Sequence, residues 1–438
     1  YQLIGGVFLA GFASLILLST WWSVFRSNSL LARNDNPRRF ISDYYVIRGS
    51  IYDQNEQSLV STTGEPGDFS QTLTYPLLSG VIGYSDATYG QAGLQASQDG
   101  YLRGVAGNDY WTIFSSKLFF GQYPRGFDLR TTISLDIQTE IDKRLAGQKG
   151  SILVMNAESG EILAMATSPT FDANKLAESM PIWKSDPNAP LLNRSTQGLY
   201  PPGSITGGLI LNNLISNKIA LPEIPAFYSA MNLGEPYYCS RRVEIASSWA
   251  QLISAGCPSA LDRLGSALKP VDLYNLYSQF GMLTQPEVQI ESASTANLET
   301  FNDVDALLKG RSNLLVTPLQ VALAYAPFSN GGKFVQPVLV TAYRKPGFPW
   351  QLLSTTSEVH VLDEKISSFL EHSSETEISG WSISSTVPIM TGTLDWYIQG
   401  TPQNWRGLPL VLVVALENST PSAAASIGLE IFGSITQE

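Results

Sequence analysis

Residues 128–168 read DLRTTISLDIQTEIDKRLAGQKGSILVMNAESGEILAMATS. This stretch predicts a strand over Leu129–Ser134, a helix over Asp136–Leu145, and then a hairpin. In the hairpin two apolar runs, SILVMNA and GEILAMATS, flank a Gly-containing turn at Glu158-Ser159-Gly160. Downstream, residues 204–330 read mainly helical, with amphipathic pieces at Ala246–Leu252, Ala260–Leu268, Pro270–Phe280 and Thr317–Phe328. Strands return at VQPVLVTAYR (335–344) and LPLVLVVALE (408–417), and a helix follows over Ser422–Ile435. Helices and antiparallel strands segregated in this way predict an α+β fold. Upstream, from Arg48, short strand-like runs broken by Gly, Pro, Asn and Ser predict a small β-rich domain. A Pro/Gly break at Tyr123-Pro124-Arg125-Gly126 marks the expected boundary between residues 26–125 and 126–438.

The chain has 438 residues, about three domains' worth, and its 44% hydrophobic content is enough to build sizeable cores. Its 27 Lys and Arg against 38 Asp and Glu give a formal charge of −11, which speaks against nucleic acid as a partner. Residues 26–125 carry eight basic and nine acidic side chains, leaving 19 and 29 for 126–438, so the deficit lies almost wholly in the larger domain. With two histidines (His360, His372) and two cysteines (Cys239, Cys257), neither a metal site nor another cofactor is expected. The cysteines, 18 residues apart, fit either one bridge in an exported domain or two buried thiols. The acidic stretch from Asp363 to Glu377 reads as a solvated face or loop.

Tyr1 to Phe25 contains no charge, and as a helix it is long enough to cross a hydrocarbon layer of roughly 30 Å. Trp21 and Trp22 near its end suit the interfacial aromatic belt, so an uncleaved anchor over 1–25 is expected. The chain opens on Tyr1, so a preceding cytoplasmic tail is expected too. Five arginines (26, 33, 38, 39, 48) against Asp35 and Asp43 follow the helix. This basic stretch suits anionic lipid headgroups or a membrane protein. By charge alone it would place that side in the cytoplasm, against the weight of any preceding tail.

Across this frame a set of short motifs appears in one order. Asn36-Pro37-Arg38, Arg48-Gly49-Ser50-Ile51-Tyr52-Asp53, Tyr75-Pro76, Gly83-Tyr84, Gly90-x-x-Gly93-Leu94 and Leu102-Arg103-Gly104 occupy the small domain. Ala164-x-Ala166-x-x-Pro169-x-Phe171-Asp172, Asn193-Arg194, Tyr200-Pro201-Pro202-Gly203-Ser204, Val316-Thr317-Pro318-Leu319-Gln320 and Ser329-Asn330-Gly331-Gly332 occupy the large one. In this order the chain resembles a class B penicillin-binding protein over nearly its whole length. The resemblance implies one membrane helix, a pedestal domain and a transpeptidase domain outside the cytoplasm of a bacterial cell.

It also implies three catalytic motifs: Ser-x-x-Lys opening a helix, Ser-x-Asn, and Lys-Thr-Gly on an edge strand. The first falls on Ser204-Ile205-Thr206-Gly207, with glycine in place of lysine. A serine hydroxyl without a neighbouring base is a weak nucleophile, and Ser204 in this position also reads as a plain helix N-cap. Gly207 and Gly208 together weaken a helix by about 1 kcal/mol each relative to Ala. The second motif is expected at Gly256-Cys257-Pro258, where neither hydroxyl nor carboxamide remains; Ser254 and Ser259 are near, each without an Asn two positions on. The third is expected at Met390-Thr391-Gly392-Thr393, with methionine for lysine and a charge-assisted contact of about 1.5–3 kcal/mol lost. Thr391 and Gly392 would remain for substrate, and the N–H groups of Ser204 and Thr393 for an oxyanion hole.

Loss of the base, the relay pair and the carboxylate anchor together implies a transpeptidase homologue without its activity. General acid–base catalysis alone is worth roughly 10²–10⁴ in rate. The expected role is then scaffold or activator of a membrane glycosyltransferase of the shape, elongation and division family, acting on peptidoglycan or its precursor peptides. Its interface would lie in the motif-bearing stretch with Arg38, Arg48 and Gly49. Two readings stand beside it. In one, Ser204 acylates with a base from afar, such as Lys184 or Lys218. In the other, the domain is an extracytoplasmic binding module with Tyr200, Trp396 and Tyr397 as a stacking surface.

Overall fold

A computed structural model describes residues 2–24, 45–121, 123–224, 239–243, 248–265, 268–294, 314–353, 380–389 and 392–436. Its principal elements, in chain order, are α1 (Gln2–Val24), β1 (Ile51–Tyr52), β2 (Ser58–Thr63), β3 (Ser70–Leu73), α2 (Tyr110–Phe120), β4 (Asp128–Thr131), α3 (Leu135–Leu145), β5 (Lys149–Asn156) and β6 (Ile162–Ser168). They continue with α4 (Gly207–Ser216), α5 (Trp249–Ser254), α6 (Pro258–Gly265), α7 (Pro270–Gln279), α8 (Pro318–Tyr325), β7 (Val340–Arg344), β8 (Trp350–Leu352), β9 (Trp381–Ile389), β10 (Gly392–Gly400), β11 (Leu410–Glu417) and α9 (Ala423–Thr436).

The hairpin expected from the opening stretch is β5–β6, and it completes a five-stranded antiparallel sheet in the order β9-β10-β11-β5-β6. Because side chains alternate along a strand, β11 serves two cores at once. Val411, Val413 and Ala415 face the helical part with Leu153, Trp396, Ile210 and Tyr325. Leu410, Leu412, Val414 and Leu416 face α3 and α9 with Ile141, Tyr397, Ile431 and Phe432. Burial on both faces explains why LPLVLVVALE reads as a continuous apolar run. The α+β reading holds: helices cover this antiparallel sheet and do not alternate with its strands.

A second sheet, β8-β7-β4-β1-β2-β3, joins the two halves of the chain. Its parallel pair, Ile51 with Leu129 and Tyr52 with Arg130, crosses the boundary expected at residues 125–126. The Arg48 motif seats this sheet from below. Arg48 Nε donates to Gln95 Oε1 (2.8 Å), Nη2 to the Gln95 carbonyl (2.7 Å) and Nη1 to Asp99 (2.6 Å), with the side chain 4% exposed. Gly49 is buried beside it, and a Cβ there would lie 1.9 Å from the Phe127 carbonyl oxygen. The expected interface role of Arg48 and Gly49 is therefore corrected: both are interior, holding β1 to the segments before and after α2. Arg38, the third residue of that expectation, lies outside the described residues. Removing one partner of a buried, hydrogen-bonded charge is costly, so Arg48→Ala lowers stability by about 3 kcal/mol. Urea unfolding of the full chain measures this, and an unchanged midpoint contradicts the clamp.

Helix α1 holds a stretch, Ile4–Trp22, of mean hydropathy 1.8 that is wholly exposed and long enough to cross a membrane. It fits a single-pass anchor. The acidic stretch 363–377 lies outside the described residues.

Candidate active site

Ser204 sits in a 3-10 turn, Gly203–Thr206, that runs directly into α4. The Tyr-Pro-Pro-Gly run ahead of it is tied down on three sides. Tyr200 and Val316 exchange backbone hydrogen bonds of 3.0 and 2.8 Å, and Trp396 Nε1 donates to the Pro201 carbonyl at 3.0 Å. The Tyr200 hydroxyl donates to Glu417 at 2.8 Å. Gly203 then takes φ +58, the left-handed region that favours glycine, and a Cβ there would meet Val387 Cγ2 at 2.2 Å.

The Glu417 carboxylate is the hub of this anchorage. It accepts from Tyr200, from Arg194 Nε at 2.9 Å and from Lys149 Nζ at 3.0 Å, and Arg194 is 1% exposed. Burial works to raise the Glu417 carboxyl. The hydrogen bonds from Tyr200, Lys149 and Arg194 and the Arg194 charge outweigh it, holding the group below its ordinary value. Burial first, then the Glu417 charge, pushes the Tyr200 phenol up. The Asn193-Arg194 and Tyr-Pro-Pro-Gly motifs thus meet at the end of β11 through a residue the sequence reading did not single out.

Around Ser204 the space is occupied. The serine is 3% exposed, and its Oγ has no hydrogen-bond partner among the described residues. Its N–H donates to Ser385 Oγ at 2.9 Å, so one expected oxyanion donor is already engaged. At position 207 a Cβ would lie 2.6 Å from Ile253 Cδ1 and 2.8 Å from Leu261 Cδ2. At 208 it would lie 2.8 Å from both Ile383 Cδ1 and Tyr325 Oη. The two glycines let α4 approach α5, α6, α8 and β9 closely, which is what offsets their poor helix propensity. The first carbon of a side chain at 207 would thus meet apolar neighbours.

The second expected motif position also has backbone reasons for its residues. Gly256, at φ +68, ends α5: its N–H donates to the Ile253 carbonyl at 3.0 Å and that of Cys257 to Leu252 at 3.2 Å. This is the paired bonding of a glycine-terminated helix. Pro258 opens α6, and Cys257 is bridged to Cys239, so of the two readings of the cysteines the bridge is the one seen. Gly256 stands against the edge strand; a Cβ there would lie 2.1 Å from the Ser384 carbonyl oxygen. Residues 239–243 lie over this turn, with Arg241 N–H donating to the Ala255 carbonyl at 3.0 Å and Ser422 Oγ to the Ser240 carbonyl at 2.8 Å.

The third placement needs correction. The edge strand beside Ser204 is β9, whose residues are Trp381-Ser-Ile-Ser-Ser-Thr-Val-Pro-Ile389, whereas Gly392 and Thr393 open β10, paired with Ile389 and Pro388. Met390 and Thr391 themselves lie outside the described residues. Gly392 packs on Asn418, and Thr393 Oγ1 donates to the Ser419 carbonyl at 3.1 Å. Thr393 pairs with Pro388, three residues along β9 from Ser385 and so roughly 10 Å away. Neither residue borders Ser204, and the expected roles of Gly392 in substrate contact and Thr393 in an oxyanion hole do not fit the fold. Strand β9 also lacks a lysine.

Neither distant base is placed near Ser204. Lys218 follows the far end of α4, and the exposed Lys184 lies over the Tyr89 ring at 5.5 Å. Tyr200, Trp396 and Tyr397 are core residues. Tyr200 and Trp396 meet edge to face with centroids 6.0 Å apart, while Tyr397 packs on Gly428 of α9 across the sheet.

Residues 150–370, half of the chain, match the family model of the penicillin binding protein transpeptidase domain. The chain is 27% identical over 376 residues to the peptidoglycan D,D-transpeptidase PbpA of Mycolicibacterium smegmatis, covering 78% of this chain and 74% of that one. It is 26% identical over 365 residues to PbpA of Mycobacterium tuberculosis, covering 76% and 72%. Its fold is similar to penicillin-binding protein A from M. tuberculosis in an imipenem acyl-enzyme complex, with TM-score 0.77 at 22% identity over 90% of this chain and 99% of that one. It is likewise similar to a D,D-transpeptidase domain from Eggerthella lenta, with TM-score 0.73 at 19% identity over 89% and 99%. Motif order, sheet topology and these matches agree: this chain belongs to the class B penicillin-binding proteins, the transpeptidase-like proteins of peptidoglycan synthesis.

Proposed function

We propose that the chain is a non-catalytic member of its family, anchored by α1 with its folded domains outside the cytoplasm. There it acts as scaffold or activator of a membrane glycosyltransferase of the shape, elongation and division family. The observation that carries this reading is the glycine at the lysine position, packed so closely that the first carbon of a side chain at 207 would already crowd Ile253 and Leu261. A relative was captured as an imipenem acyl-enzyme. Here the serine in the Tyr-Pro-Pro-Gly-Ser motif is buried, its N–H is engaged by Ser385, and its Oγ has no hydrogen-bond partner, base included, among the described residues. With the serine chemistry removed, what remains is a folded, membrane-tethered surface, suited to binding a partner that works at the membrane.

Reconstitution of the full chain with such a polymerase and its lipid-linked precursor tests the role. Glycan output rises on adding the chain, and rises equally with Ser204→Ala. An output that depends on Ser204 contradicts a non-catalytic role, and no change in output contradicts activation. Because Arg48 and Gly49 are interior, the interface is sought in residues 26–44, with Arg38→Glu as the first variant.

A further inference from the structure

Helix α2 is built inside out. Its ends are made by local sequence: Asp109 Oδ1 accepts from Thr112 N–H at 2.9 Å, and Gly121, at φ +67, closes the last turn onto Lys117. Between these caps no residue is buried. The half-buried side carries Thr112, Ile113, Ser115 and Ser116, while Tyr110, Trp111, Phe114, Leu118, Phe119 and Phe120 are exposed. Trp111 is 69% exposed and Phe120 77%. A surface helix of a soluble domain presents the opposite pattern, apolar stripe inward and polar face outward.

The place of α2 in the fold says what covers it. The described chain re-enters after α1 at Tyr45, and residues 47–49 bind both flanks of the α2 segment. Gly49 N–H donates to the Leu102 carbonyl at 2.8 Å and Gly126 N–H to the Ile47 carbonyl at 2.9 Å. The segment bearing α2 therefore protrudes from the point where the tether from the membrane helix arrives. Its side chains are those that settle at a membrane surface: Trp and Tyr at one end, Phe and Leu along the face. Lys117 and the exposed Arg125 at the other end add charge for anionic headgroups. A tether of 20 residues, 25–44, keeps the local concentration of bilayer high at this point.

We propose that α2 lies in the interfacial layer of the bilayer that α1 spans, as a second membrane contact that sets the pedestal down on the surface. This rests on α1 being an anchor, and the test separates the two. The chain's own cysteines are bridged, so single added thiols can be labelled with an environment-sensitive fluorophore. Leu9→Cys reports α1, Phe119→Cys reports α2, and Leu408→Cys reports an exposed site on the large domain. The full-length chain is reconstituted in phosphatidylethanolamine–phosphatidylglycerol vesicles containing lipids spin-labelled at shallow or deep acyl positions. The label at 119 loses emission to shallow quenchers, at a depth of about 5–10 Å. The label at 9 responds to deep quenchers, and that at 408 to neither. Adding Trp111→Glu and Leu118→Glu to the Phe119→Cys chain abolishes the quenching while the circular dichroism spectrum holds. A label at 119 that behaves like 408 while 9 is quenched overturns the proposal. So does one shielded only when a protein partner is added. If 9 is also unquenched, the anchor itself fails and the proposal with it.

Discussion

Gly207→Lys leaves the protein as unreactive toward penicillin as before and makes it less stable. Restoring a missing base to a vacant cleft would raise reactivity, but this position is not vacant. The first carbon of any side chain there stands 2.6 Å from Ile253 and 2.8 Å from Leu261. Overpacking of a core site costs about 1–3 kcal/mol. Unfolding in urea should therefore show a loss of about 1–3 kcal/mol. Because the obstruction has named owners, a double-mutant cycle isolates it: with Leu261→Ala the lysine costs less than the two changes summed, by a coupling of about 1 kcal/mol or more. A lysine variant as stable as the parent, or additivity in the cycle, would show that position 207 is open after all.

Arg194→Ala destabilises the domain by about 3 kcal/mol, the cost of removing the buried member of a charge pair and its hydrogen bonds. Glu417 would keep Lys149 and Tyr200 but lose the guanidinium that also donates to the Asn188 and Ala189 carbonyls. The same hub has a pH signature. The folded Glu417 carboxyl is held below its ordinary value, so its contribution is complete above the unfolded-state pKa, about 4.3. It is lost as pH falls through the lower, folded-state value. Stability of the parent should drop across that acid window, and Glu417→Gln should flatten this part of the profile while lowering stability at neutral pH. Equal acid slopes in parent and variant would remove Glu417 from the account.

Periodic and capped segments were legible in the sequence. Asp136–Leu145 is observed as Leu135–Leu145, and the Val-Thr-Pro-Leu-Gln motif is a capping box in which Thr317 and Gln320 satisfy each other's N–H groups, opening α8. The turn that carries Ser204 into α4 was legible too, because it depends on a local run of backbone-shaping residues. What could not be read was whatever depends on which distant segments meet. Met390-Thr391-Gly392-Thr393 matched a motif at three of its four letters, yet Gly392 and Thr393 open β10, paired with Ile389 and Pro388. Arg48 read as a basic residue in a membrane-proximal stretch, and only the fold shows each of its three guanidinium nitrogens donating to Gln95 or Asp99. The glycines at 207, 208 and 256 read in the sequence only as departures from a motif or a weakened helix, while their role in close packing required the neighbours Ile253, Tyr325 and Ser384.

The most direct measurement is covalent labelling of the folded full-length chain with a fluorescent penicillin, followed by intact-mass spectrometry, alongside Ser204→Ala. A closed site around an unassisted serine predicts the unmodified mass for both proteins. A penicilloyl adduct on the parent that disappears in Ser204→Ala would contradict it.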